Sequence, residues 1–146
     1  MNVDQEHMVE ITEHMISEAE KGFILGFFVG QGSFGGDGRT PQLTLRMHTS
    51  HGPLLIKLCG LFPGSQVYGP YSHGERTYFQ WMLRGDELAI FVNEGIFEGL
   101  KEWDGPSYER YRAMVDGYFV DGKLKFRSKK RRRITSSRGG SSTESV

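Results

Sequence analysis

A chain of 146 residues with 37% apolar side chains, ten Phe, six Tyr and two Trp has room for one domain of about 100 to 120 ordered residues and a modest core. It holds no run of about eighteen apolar residues and no signal-peptide core, so neither a membrane span nor secretion is indicated, and an intracellular place (cytoplasm, nucleoid or organelle matrix) is expected. A single cysteine, Cys59, excludes an internal disulfide and a multi-cysteine zinc site, and the net charge of zero conceals an uneven distribution of bases and acids.

Taken in chain order, residues 1–20 are polar and acidic and are expected as an N-terminal arm or extra helix. "KGFILGFFVGQG" is a compact apolar helix, and "SFGGDG" a short strand or turn. "PQLTLRMHT" alternates, with Leu43, Leu45, Met47 and Thr49 on one side and Gln42, Thr44, Arg46 and His48 on the other, the pattern of a half-buried antiparallel strand. Ser50 is expected to cap a helix over "GPLLIKLCGLF" with Pro53 in its first turn, within which Cys59 reads as a buried, inert thiol. "QVYGPY" and "TYFQWMLR" read as strands around the turn "SHGER". "GDELAIFVNEGIF" predicts a third helix with Asp86 as cap, and "GPSYERYRAMVDGYF" a fourth with Ser107 as cap. The domain is placed at 21–120, and 121–146 is expected as a basic, disordered tail.

The order α-β-β-α-β-β-α-α predicts an α+β protein whose antiparallel sheet carries its helices on one face. The other face is open and displays Gln42, Thr44, Arg46 and His48 from one strand and, by alternation, Tyr78, Gln80 and Arg84 from another. A ribbon with such a polar, arginine-bearing set can read base edges in the major groove; an ordinary wet sheet face carries similar residues. Lys123 to Val146 hold nine Lys/Arg and one acid, net +8, whereas residues 1–122 hold nine bases and seventeen acids, net −8. The tail suits polyanions, or a solvated localisation signal. Residues 33–85 carry five bases against Asp37 and Glu75, net +3, so the acids gather in the N-terminal segment and the later helices.

The glycines of "FVGQGSFGGDG" resemble a kinase phosphate loop, but V-A-I-K, H-R-D and D-F-G signatures are all missing. Gly22, Gly26 and Gly30 instead recur every four residues and share one side of the helix. Three helical glycines cost roughly 1 kcal/mol each, and their bare stripe admits close approach of a second helix.

At these residues the chain resembles the LAGLIDADG homing endonucleases. "ILGFFVGQG", Ile24 to Gly32, covers the nine motif positions, with Ser33 and Phe34 matching beyond, and "QLTLRMHTSHGPLLIKLCGLF", "VYGPY", "TYFQWMLRGDELAIF" and "YERYRAMVDGY" follow single-motif members. The resemblance covers about residues 21–118. It implies an αββαββα fold with an antiparallel sheet saddle, a homodimer pairing its Gly22–Gly26–Gly30 helices, and double-stranded DNA as partner.

It also implies a departure. The motif's metal-binding acid position is Gln31 here, and its other acid position is Val29. A neutral amide lacks the charge that Mg²⁺ prefers. Asp37, six residues on, is the candidate substitute, so Gln31 or Asp37 would hold Mg²⁺ only in an active protein. Lys101 matches a lysine near the scissile phosphates; a plain helix-end lysine fits it as well. His48 and Arg46 match DNA-facing strand positions. The expectation is sequence-specific DNA binding with cleavage lost. The alternatives are an active homing endonuclease making Mg²⁺-dependent double-strand breaks, an RNA-binding maturase acting on an intron, or an interaction protein with no nucleic-acid role.

Overall fold

A computed structural model describes residues 16–126, an α+β domain with one four-stranded antiparallel sheet. Most of the expected N-terminal arm and the basic tail from residue 127 lie outside the described residues. Helix α1 (Glu18–Gln31) starts three residues earlier than expected, because Ser17 and Glu20 form a capping box that holds the first turn. It ends at Gly32, whose backbone turns extended (φ −82°, ψ 156°) and where a side chain would not fit, since a Cβ would lie 2.6 Å from the Phe28 ring. Strand β1 (Ser33–Gly36) follows at once and pairs with β2 (Pro41–His48).

After β2 a single 3₁₀ turn, Thr49–His51, leads into α2 (Gly52–Leu61). Ser50 does not cap α2 as expected: it lies inside this turn, where its backbone N–H donates to His48 Nδ1 over 3.0 Å. Strands β3 (Gln66–His73) and β4 (Arg76–Arg84) are longer than expected, and only Gly74 and Glu75 join them. A bulge at Gly69–Pro70 shifts the register so that Tyr71 comes opposite Tyr78.

The expected third helix is cut in two. Helix α3 (Gly85–Asn93) stops before Gly95, whose left-handed φ of 75° a helix does not accommodate, and a 3₁₀ turn, Ile96–Gly99, carries on to the four-residue α4 (Leu100–Trp103). Arg84 holds the N-cap position of α3, so Asp86 falls in its first turn rather than at the cap. The last helix, α5 (Gly105–Tyr118), is capped by Asp104, not Ser107; the Asp104 carboxylate accepts from the backbone N–H and the hydroxyl of Ser107. A small hairpin, β5 (Phe119–Val120) with β6 (Lys123–Leu124), then extends past residue 120 into the segment expected as tail.

The sheet order is β1-β2-β4-β3, so β2 and β4 lie centrally. Leu43, Leu45, Trp81 and Leu83 alternate onto one face and are fully buried against Ile24 and Phe28 of α1, Leu55 and Leu58 of α2, Leu88 and Phe91 of α3, and Phe97, Tyr111 and Met114 beyond. Each such burial is worth about 1.5–3 kcal/mol. Trp81 satisfies its indole N–H by donating to Ser65 Oγ (3.0 Å), which in turn donates to the Phe62 carbonyl (2.7 Å). Cys59 is half-buried rather than fully enclosed, packed against this core with a free thiol. Among the described residues no helix is long and apolar enough to cross a membrane.

Candidate nucleic-acid interface

Among the described residues, period-two alternation over β2 and β4 leaves the second face of the sheet uncovered. Its rows follow from the register: Gln42 faces Arg84, Thr44 faces Met82, Arg46 faces Gln80 and His48 faces Tyr78. The seven strand residues expected on the open face therefore lie on one surface. On β1, Ser33 extends the Thr44 row. On β3, Tyr68 extends the Gln80 row and Tyr71 the Tyr78 row, and His73 lies opposite Arg76 at the hairpin end. Tyr68, Tyr71, Met82, His73 and Arg76 were not singled out from the sequence. Alternation from Tyr78 does reach Arg76 and Met82, but the bulge hides Tyr71.

The side chains cross-link the two central strands. Arg46 Nε donates to Gln80 Oε1 over 3.3 Å, and the Tyr71 and Tyr78 rings lie 5.6 Å apart. Because the Ser50 backbone N–H donates to His48 Nδ1, that nitrogen is an acceptor and the neutral ring carries its proton on Nε2. Arg84 reaches the Asp37 carboxylate at 3.6 Å.

Strands β2, β3 and β4 contain three arginines, two histidines and no carboxylate. The acids Asp86, Glu87, Glu98, Glu102, Glu109 and Asp116 lie on the helices and their connecting turns. Among the described residues the acids thus lie mainly on the helical layer and its turns. Four strands span about 14 Å between the outer axes, close to the roughly 12 Å width of a major groove.

Helix α1 presents the glycine stripe. Gly22, Gly26 and Gly30 are exposed, and a Cβ built on any of them meets nothing within 4 Å. Beside them Phe23 stacks on Phe27 with ring centroids 5.3 Å apart, and Phe23 remains 47% exposed. A helix apolar on nearly every side is ordinarily covered on more than one side, and among the described residues α1 is covered only through Ile24, Phe28 and their neighbours.

Gln31 is exposed at the last position of α1, and Val29 packs half-buried on the core. Asp37 is occupied by its own turn. Its Oδ1 accepts from the backbone N–H groups of Thr40 (2.7 Å) and Arg39 (2.9 Å). These two bonds, the Thr40 one foremost, with the Arg84 charge, hold the carboxyl below its usual range. Lys101 is exposed on α4, and the adjoining Gly99 meets α1 at Leu25, six residues or about 9 Å of helix axis before Gln31. The donor set at the end of α1 is thus one neutral amide, with the nearest carboxylate in sequence already hydrogen-bonded and paired. That set does not fit Mg²⁺, which prefers anionic oxygen ligands. No protein-family model and no curated protein sequence matches this chain.

Proposed function

We propose that this protein binds double-stranded DNA sequence-specifically through the open face of its sheet, as a LAGLIDADG-like homodimer in which metal-dependent cleavage has been lost. The observation that carries the reading is the face built from β2, β3 and β4, strands without a carboxylate, with Gln42, Thr44, Arg46 and Gln80 in register on the two central strands and arginine at both ends, Arg84 paired with Asp37 of the adjoining turn. Amides and guanidiniums pair bidentately with adenine and guanine edges, and phosphates repel the carboxylates that these three strands lack. The exposed apolar and glycine side of α1 supports pairing with a second copy, which would double the sheet along a two-fold axis. Gln31, in the place where the resembled family carries an acid, supports the loss of cleavage.

The test is selection of bound sequences from a random duplex library, with and without Mg²⁺, followed by a cleavage assay on the winners. A defined, two-fold-related consensus whose affinity ignores Mg²⁺ beyond ionic strength, and no cutting, is the expected result. Failure to enrich any sequence rejects the reading. Site-specific cutting rejects its catalytic part. Gln31→Asp then asks whether the ligand alone was lost.

A further inference from the structure

The outer end of the open face holds a feature that base reading does not require. Arg46 and His48 of β2, His73 of β3 and Arg76, Thr77 and Tyr78 of β4 line a cavity of about 580 Å³ with Met47. This volume is in the range of small-ligand sites, about 300–1,000 Å³. Among the described residues no carboxylate lines it, and neither Arg46 nor Arg76 has an ion-pair partner. Two guanidiniums and two imidazoles thus present N–H donors with no carboxylate among them. Such a donor set, exposed on one sheet face, suits an anionic ligand.

The donors come from three strands. His73 faces Arg76 across the hairpin and His48 faces Tyr78. The Ser50 N–H fixes His48 Nδ1 as an acceptor, so its ring donates from Nε2. Donors spread over three adjacent strands can meet several oxygens of a tetrahedral oxyanion, whereas a planar carboxylate is satisfied by a single guanidinium fork. The Tyr78 ring, tilted against Tyr71, adds a flat wall for a sugar or base.

We propose that this cavity is a phosphate-binding site, with His48, His73 and Arg76 holding the phosphate oxygens and Arg46 at its inner border. Its physiological source is a backbone phosphate of the bound duplex, a step that rests on the function proposed above; the ligand chemistry of the cavity does not. Arg76 and His73 are then positional contacts that set the register of the sheet on the duplex, and Arg46 and Gln80 remain the neighbouring base readers.

The experiment uses the full chain and follows the imidazole resonances of His48 and His73 by NMR at fixed pH. Inorganic phosphate is titrated against chloride and acetate at matched ionic strength. Saturable shifts with phosphate alone are expected, weakened about tenfold or more in Arg76→Gln and partly kept in Arg76→Lys. Equal shifts from chloride or acetate, or an unchanged titration in a folded Arg76→Gln, overturn the site. In a second arm Arg76→Gln is expected to lower affinity alike for all duplex sequences and to reduce the salt slope by about one. An unchanged slope with altered base preference overturns the assignment and leaves the DNA reading standing. Phosphate binding by a protein that enriches no duplex upholds the site and rejects the DNA reading.

Discussion

The bare side of α1 gives the sharpest test, through Gly26. It lies mid-helix, and a methyl group placed on it meets nothing within 4 Å inside the protomer. Alanine is about 1 kcal/mol better than glycine in a helix interior. For a protomer whose α1 stays solvated, Gly26→Ala should therefore stabilise by about 1 kcal/mol, or roughly 4 °C in Tm for a domain of this size. Pairing of two α1 helices reverses the sign, because the added carbon separates backbones that the glycines bring together. The gain from pairing is sizeable. Phe23 is 47% exposed, and covering the remaining surface of that ring is worth about 2 kcal/mol per protomer. Sedimentation equilibrium over a range of concentrations, beside urea melts of the wild type, Gly26→Ala and Gly26→Leu, separates the cases. The expected result is a dimeric wild type with a concentration-dependent Tm, a Gly26→Ala that loses rather than gains stability, and a monomeric but folded Gly26→Leu. A monomeric wild type with Gly26→Ala about 1 kcal/mol more stable would show that α1 has no second partner.

Ser65→Ala should cost about 1–3 kcal/mol in urea unfolding, because it strands the fully buried Trp81 indole N–H, whereas Trp103→Phe at a 76% exposed position should change little. Asp37 has a folded-state pKa below its unfolded value, so its contribution is present above pH ~4 and is lost as pH falls through the lower folded value; being half exposed, it is worth a few tenths of a kcal/mol. Asp37→Asn should flatten that acid limb of the stability curve, and an unaltered limb refutes the assignment. Deleting residues 127–146 removes seven Lys/Arg and should reduce the salt slope of duplex binding by up to about six if each meets a phosphate. Arg46→Ala should relax base preference in the selection while leaving most of that slope in place, and unchanged preference would remove Arg46 from the reading set.

Much of the sheet was legible in advance, because alternation is local. Leu43, Leu45 and Met47 against Thr44, Arg46 and His48 declare which side of β2 faces the core before any partner strand is known. Helix starts were read less well, because several Ser, Asp and Asn side chains compete for each cap. Ser107 and Asp104 are both capable caps, and only the backbone course shows that the carboxylate three residues upstream accepts from the serine. The capping box of Ser17 and Glu20 stands in the sequence as S-x-x-E, but the apolar run behind it is the stronger local signal and marks a later start.

The chain alone determined the two faces of the central strands, the glycine stripe and the neutral residue at the end of α1, since each is a matter of residue type at a fixed spacing. Tertiary structure decided which strands pair, that the order is β1-β2-β4-β3, that a bulge returns Tyr71 to the open face, and that His48, His73 and Arg76 meet around one cavity. The physical reason is distance along the chain. Spacing reports what a few turns or a single strand do with their own side chains. A cavity lined by residues 46 to 78 exists only once hydrogen-bond register has set three strands side by side.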